Sequence, residues 1–191
     1  MKQTYIDDKT FTGINNEENP LLIAAYENCS FVNCDFSNAD FSEFIFIDCN
    51  FKVCNLSLSK ISKTAFRNVK FTECKMLGLH FDECNQFGIE LNFENCTLSQ
   101  ASFYKMKIRN QIFKNCRLHE TDFTESDLTG SVFDNCDLEG AAFDNSNLEK
   151  ADFRTSFNYS IDPEINRVKK AKFALPEVLG LLSKYDLVIE K

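Results

Sequence analysis

At 191 residues, 43% hydrophobic and 26% charged, the chain is sized for one domain or two small ones, and it has no apolar stretch long enough to span a bilayer. A formal net charge of −8 and a pI near 4.9 argue against binding nucleic-acid phosphates directly, since that takes a basic footprint. Residues 1–20 lack an apolar core behind a basic start, so no signal peptide is expected and a cytoplasmic location follows.

The segment 1–25 shows little regularity. Tyr5, Ile6 and Phe11 read as an irregular coil, and the stretch from Asn15 to Pro20 reads as a loop. Leu21, Leu22, Ile23 and Ala24 lead into Tyr26. From Phe31 a beat of five begins. Phe31, Phe36, Phe41, Phe46, Phe51, Leu56, Ile61, Phe66, Phe71, Met76, Phe81 and Leu91 are large and apolar, with Gln86 the one exception. A second run continues with Phe93, Leu98, Phe103, Ile108, Phe113, Leu118, Phe123, Leu128, Phe133, Leu138, Phe143, Leu148 and Phe153. Residues five apart share no face on a helix or a flat strand. Only a chain that turns once per pentad sends them all to one side.

Call each of these residues a centre. All nine cysteines (Cys29, Cys34, Cys49, Cys54, Cys74, Cys84, Cys96, Cys116 and Cys136) stand two residues before one. Alanine, serine and threonine share that slot, so cysteine is expected there as a small buried hydrophobe. No CxxC spacing suggests a metal, and an odd count disfavours a disulfide framework. Charges avoid both the centre and the slot two before it. That binary pattern describes a solenoid with a filled interior.

The coil length is also legible. Phe93, Cys96 and Leu98 recur as Phe113, Cys116 and Leu118, then as Phe133, Cys136 and Leu138, at a step of twenty residues. Four pentads therefore make one turn. Phe93, Phe113, Phe133 and Phe153 should stack in one interior column. Leu98, Leu118 and Leu138 should form a second, Phe103, Phe123 and Phe143 a third, and Ile108, Leu128 and Leu148 a fourth. At the strand spacing of about 4.8 Å, the 26 pentad positions make ~6.5 coils and a rod of roughly 30 Å. On the outside, Lys114, Asp134 and Arg154 should stack as a charge ladder.

Ala39-Asp40-Phe41, Ser126-Asp127-Leu128, Cys136-Asp137-Leu138 and Ala151-Asp152-Phe153 resemble the Ala-(Asp/Asn)-Leu-x-x consensus of the pentapeptide-repeat family. The resemblance implies an all-β, right-handed quadrilateral β-helix over residues 26–173, capped by 1–25. Phe81 to Phe93 is two residues longer than two pentads, so a bulge or bend is expected within 86–92. Further on, Asp162-Pro163 interrupts the beat, while Val168 and Phe173 stay in phase. The tail 174–191 reads as a short α-helix over 175–184, followed by a strand at Leu187, Val188 and Ile189.

This ending is similar to that of the quinolone-resistance pentapeptide proteins, through Ile161-Asp162-Pro163, the Leu-rich helix and the apolar tail; Phe87 to Glu90 is similar to a segment near their middle. In that group the C-terminal helix is the dimer interface. The resemblance therefore implies a homodimer through Leu175, Val178, Leu179, Leu181 and Leu182, with a rod near 60 Å or more. The alternative is a helix that only caps the coil.

No catalytic constellation is visible. The six glycines are scattered. His80 and His119 fall at outward positions, and neither neighbours a nucleophile or a ligand cluster in sequence. No cofactor and no metal are expected, and an enzyme is expected only if the family reading fails. What is left is binding by the outer surface. Residues 119–152 hold ten acids against Lys150 alone. Asp122, Asp127, Asp137 and Asp152 occupy the Asp/Asn slot that braces turns. Glu120, Glu125, Asp134, Glu139, Asp144 and Glu149 remain as a belt for a protein partner. Residues 105–117 are basic instead, with Lys105, Lys107, Arg109, Lys114 and Arg117. In the quinolone-resistance group a rod of DNA-like width and charge engages DNA gyrase and topoisomerase IV, so these are the partners the resemblance implies. The long loops of the Gram-negative members have no counterpart here. A protein-interaction rod without an assigned partner is the broader reading.

Overall fold

Pentads turn because their corner residue is left-handed. The second residue after most centres has positive φ in coil after coil: 53° at Asn33, 56° at Asn38, 53° at Asn115, 51° at Asn135. Asparagine tolerates this region, and Gly130 and Gly140 fill the same slot without strain. Between corners the chain is extended, so each pentad forms one side of a four-sided coil.

The computed structural model describes residues 4–175, 177–185 and 187–188. Its strands are β1 (Tyr5–Asp7), β2 (Thr10–Thr12), β3 (Ala25–Glu27), β4 (Ser30–Val32), β5 (Ile45–Ile47), β6 (Asn50–Lys52), β7 (Ala65–Arg67), β8 (Val69–Thr72), β9 (Leu91–Glu94), β10 (Ile112–Lys114) and β11 (Val132–Asp134). They form two parallel sheets on neighbouring sides. One runs β1-β3-β5-β7, the other β11-β10-β9-β8-β6-β4-β2. The register advances by twenty residues, as in Phe31↔Phe51 and Phe113↔Phe133. The other sides are joined by single bridges such as Asp40↔Lys60 and Arg117↔Asp137. β1 and β2 carry the coil into the segment expected to cap it, and Phe11 stacks on Phe31 at 5.0 Å.

The interior is a set of ladders. Phe11, Phe31, Phe51, Phe71, Phe93, Phe113, Phe133, Phe153 and Phe173 stack in one column, with centroids 4.6–5.6 Å apart and planes within 18°. Phe81, Phe103, Phe123 and Phe143 stack opposite, at 4.7–5.2 Å. The two columns meet edge to face, as at Phe103–Phe113. Offset stacks and edge contacts both satisfy the ring quadrupole. Leu98, Leu118, Leu138, Leu128 and Leu148 are fully buried between them.

All nine cysteines are buried and reduced. The slot does more than fill space. Cys54 Sγ donates to Phe31 O at 3.3 Å and Cys136 Sγ to Phe113 O at 3.4 Å, each on the coil before. Serine and threonine make the same bond with oxygen: Ser59 to Phe36 O at 2.9 Å and Thr121 to Leu98 O at 3.0 Å. Where the slot holds Cys, Ser or Thr these side chains can donate inward, whereas Ala39, Ala101 and Ala151 fill it without a donor. Burial pushes the Cys49 and Cys84 thiols up to about 12.

Three expectations need correction. Leu91 is not a centre. It pairs with Val69, so it takes the small-residue slot before Phe93 and is buried there. Asn85 still pairs with Ala65 at a step of twenty, whereas Val69↔Leu91 steps by 22. The two extra residues therefore lie within 86–90, where Gln86 is exposed and Phe87 is 80% exposed. Secondly, the Lys114–Asp134–Arg154 ladder does not form. Lys114 Nζ turns to Glu94 at 3.0 Å, Arg154 grips Asp152 at 2.8 Å, and Asp134 accepts from Thr155 at 3.0 Å. Lys114 takes the vertical neighbour on its other side, Glu94, while Asp134 and Arg154 pair along and across the skin. Thirdly, the tail is 3₁₀ rather than α-helical, over Glu177–Leu181 and Ser183–Tyr185. Leu182 N–H and Tyr185 N–H bond three residues back, to Leu179 and Leu182. A Cβ on Gly180 would collide with Tyr159 O, and Ile161 N–H donates to Gly180 O. This close docking holds the segment tight on the last coil. Leu187 and Val188 are not in a strand, and Ile189 lies outside the described residues.

Candidate interaction surfaces

The acidic residues follow the pentad rule. Asp134, Glu139, Asp144 and Glu149 each come directly after a centre (Phe133, Leu138, Phe143 and Leu148). Four successive centres face four successive sides, so these acids encircle the rod once. Glu120 and Glu125 sit at left-handed corners of the coil before, with φ of 54° and 56°. Several are held by neighbours. Gln100 Nε2 donates to Glu120 at 2.9 Å. Lys105 Nζ and Tyr104 O–H reach Glu125, at 3.4 and 3.2 Å. Arg167 binds Glu149 at 2.7 Å. Glu139 and Asp144 are exposed.

Lower on the rod, the insertion opens a cleft of about 450 Å³ between Gly88–Asn92 and Lys107–Ile112. Lys107 pairs upward with Asp127 and Asn85 pairs downward with Ala65, but among the described residues no bridge joins Asn85 to Lys107. The Gln111 side chain spans part of the gap, with Nε2 donating to Leu91 O at 2.8 Å. The cleft is open to solvent, and Glu90, Lys107 and Arg109 are the charged residues on its walls.

The C-terminal apolar residues divide. Leu181 packs on the core and Val178 is half-buried, whereas Leu175 (85% exposed), Leu179 and Leu182 face outward. Lys184 anchors the segment through Asp162 at 2.8 Å and Glu164 at 2.6 Å, and Tyr185 O–H donates to Glu164 at 2.7 Å. These bonds raise the Lys184 ammonium and lower both carboxyls. No described helix is long and apolar enough to cross a membrane.

One grouping escaped the linear sequence. The coil brings His119 against Asp137, with Nε2 to Oδ2 at 2.7 Å, and Glu139 lies beside both. A step of twenty relates His119 to Glu139, so the stacking rule could have found it.

A family model for the pentapeptide repeat region matches residues 24–92 and 90–158. No curated protein matches the chain. Among solved structures, a trypsin-treated variant of QnrB1, a plasmid-mediated fluoroquinolone resistance protein, aligns over 99% of this chain and 100% of its own, with a TM-score of 0.58 at 17% identity. HetL, a pentapeptide repeat protein involved in heterocyst differentiation regulation from the cyanobacterium Nostoc sp. strain PCC 7120, covers 91% of this chain and 87% of its own, at 14% identity and a TM-score of 0.37. The QnrB1 likeness is one of fold. Four-sided coils, a step of twenty and the matched repeats agree: the chain belongs to the pentapeptide-repeat family.

Proposed function

We propose that this protein is a cytoplasmic interaction rod that works by binding a protein partner, without catalysis, and that the partner is a type II topoisomerase. The observation that carries the reading is the ring of Asp134, Glu139, Asp144 and Glu149, one carboxylate per side of the coil. A narrow rod carrying regularly spaced negative charge offers a DNA-binding groove what a duplex offers it. The core columns fill the interior of the described coils with apolar side chains, which favours binding at the outer surface. The fold likeness to QnrB1 is consistent with this choice of partner.

The same reading makes the protein a homodimer. Leu175, Leu179 and Leu182 expose apolar surface at one end of the rod, beside Val178 and Leu181. A two-fold partner would cover that surface and double the rod. Sedimentation equilibrium should give twice the chain mass, and Leu179→Glu should halve it.

A gyrase supercoiling assay, run with and without a quinolone, tests the partner. At micromolar protein the expected result is inhibition of supercoiling or protection from the drug. If neither occurs, the partner is a different protein and only the interaction rod stands.

A further inference from the structure

We propose that His119, Asp137 and Glu139 form a surface site for one divalent metal ion of borderline softness, such as zinc. Each offers a ligand atom, and the three atoms lie within 4.8 Å of one another. His119 and Glu139 stack on adjacent coils, and Asp137 stands beside Glu139, flanking the buried Leu138. Asn158 Nδ2 donates to Asp137 Oδ1 at 2.8 Å, which fixes the carboxylate with Oδ2 turned to the imidazole.

The same diagonal recurs elsewhere on the rod with a different outcome. Arg109 meets Asp127 at 2.7 Å, and Glu149 meets Arg167 at 2.7 Å, both across a step of eighteen. There a guanidinium, which keeps its proton, closes a pair with one carboxylate. The residue stacked twenty after Arg109 is Thr129, not an acid. At residue 119 the cation is replaced by an imidazole, and a second carboxylate is added. His119 faces two carboxylates where each arginine faces one, and a divalent ion would balance that surplus of negative charge.

The geometry needs side-chain adjustment. Zinc takes imidazole nitrogen and carboxylate oxygen at about 2.0–2.2 Å, so neighbouring ligand atoms of a tetrahedral site sit about 3.3–3.6 Å apart. The 2.7 Å between Nε2 and Oδ2 lies below that spacing and the 4.8 Å that bounds the three ligand atoms lies above it, so side-chain rotation has to open the first and close the second. On binding, the Nε2 lone pair turns to the metal, and a proton carried at Nε2 leaves to solvent or is replaced by one at Nδ1. Three protein ligands leave a fourth position for water.

The test titrates zinc chloride into the reduced, full-length chain by calorimetry and follows the thermal midpoint in parallel. His119→Arg is the decisive variant, because it rebuilds the Arg109–Asp127 type of pair and keeps the coil while removing the ligand. Glu139→Gln removes a ligand charge at an exposed position. One zinc per chain should bind to the natural protein and raise its midpoint. Both variants should bind at least ~10-fold more weakly, and the His119→Arg midpoint should ignore zinc. Absence of binding to the natural protein at millimolar zinc would overturn the site. So would unchanged stoichiometry and affinity in His119→Arg, which would assign the metal to the thiols.

Discussion

The side of the rod built on Phe71 and Phe93 takes up the two extra residues without a break, whereas the side built on Phe66 and Ile108 does not. On the first, β8 pairs with β9 over four residues, and the rings stack at 5.6 Å across a step of 22. On the second, the four-stranded sheet ends at β7, and a cleft separates Gly88–Asn92 from Lys107–Ile112. The difference follows from the residue that would have to go inside. Gln86 falls at the centre of the broken side. Its amide has no inward partner to replace water, so it stays exposed and the slack collects around it. A phenylalanine column holds register through an insertion; a polar residue at a centre releases it.

The comparison can be broken most severely on the continuous side. Phe113→Ala removes a fully buried ring stacked on Phe93 and Phe133, and should cost ~3–5 kcal/mol in urea denaturation. Ile108→Ala borders the cleft, where one side already lacks packing atoms, and should cost nearer ~2 kcal/mol. Equal losses would show that the cleft is closed in solution.

Repairing the fault is the converse. Deleting Phe87 and Gly88 together with Gln86→Leu restores a full pentad and places an apolar centre under Ile108. The chain should gain ~1–2 kcal/mol from the newly buried side chain. A lower denaturation midpoint would mean that the insertion relieves strain.

A smaller effect is expected at the corners. Val53 has φ of 56°, a conformation that β-branched residues resist, and is 44% exposed. Val53→Asn should stabilise by ~1 kcal/mol, read as a higher denaturation midpoint.

The smallest effect is electrostatic. Arg154 and Lys172 hold the Asp152 carboxyl down to about 2. A lowered folded-state value favours the folded protein above the ordinary carboxylate range, and the contribution fades as pH falls towards 2. Thermal melts from pH 5 to 2 should therefore show a shallower loss for Asp152→Asn than for the natural chain.

Most of the fold was readable because the interior repeats itself. The step of twenty, the Phe and Leu columns and the buried thiols all follow from position within the pentad. The fault was harder to place, since Leu91 obeys the beat of five by coincidence and is apolar in either register. The tail is ambiguous in sequence because leucines three apart suit a 3₁₀ turn as well as an α-helix, and the bonds from Leu182 and Tyr185 three residues back are visible only in the structure. At the surface, the acids could be assigned to sides from their phase. Their partners could not, because long side chains choose among vertical, diagonal and sideways neighbours. Arg154 turned sideways to Asp152, and His119 took the diagonal to Asp137.

The most direct test of the proposed function compares gyrase binding by the natural chain with that of a variant carrying Asp134→Asn, Glu139→Gln, Asp144→Asn and Glu149→Gln. The natural protein should bind at micromolar concentration. The neutralised ring should bind at least ~10-fold more weakly while melting at a similar temperature, since surface charges and surface ion pairs contribute little to stability and much to recognition. Equal binding by both proteins, or binding by neither, would contradict the account.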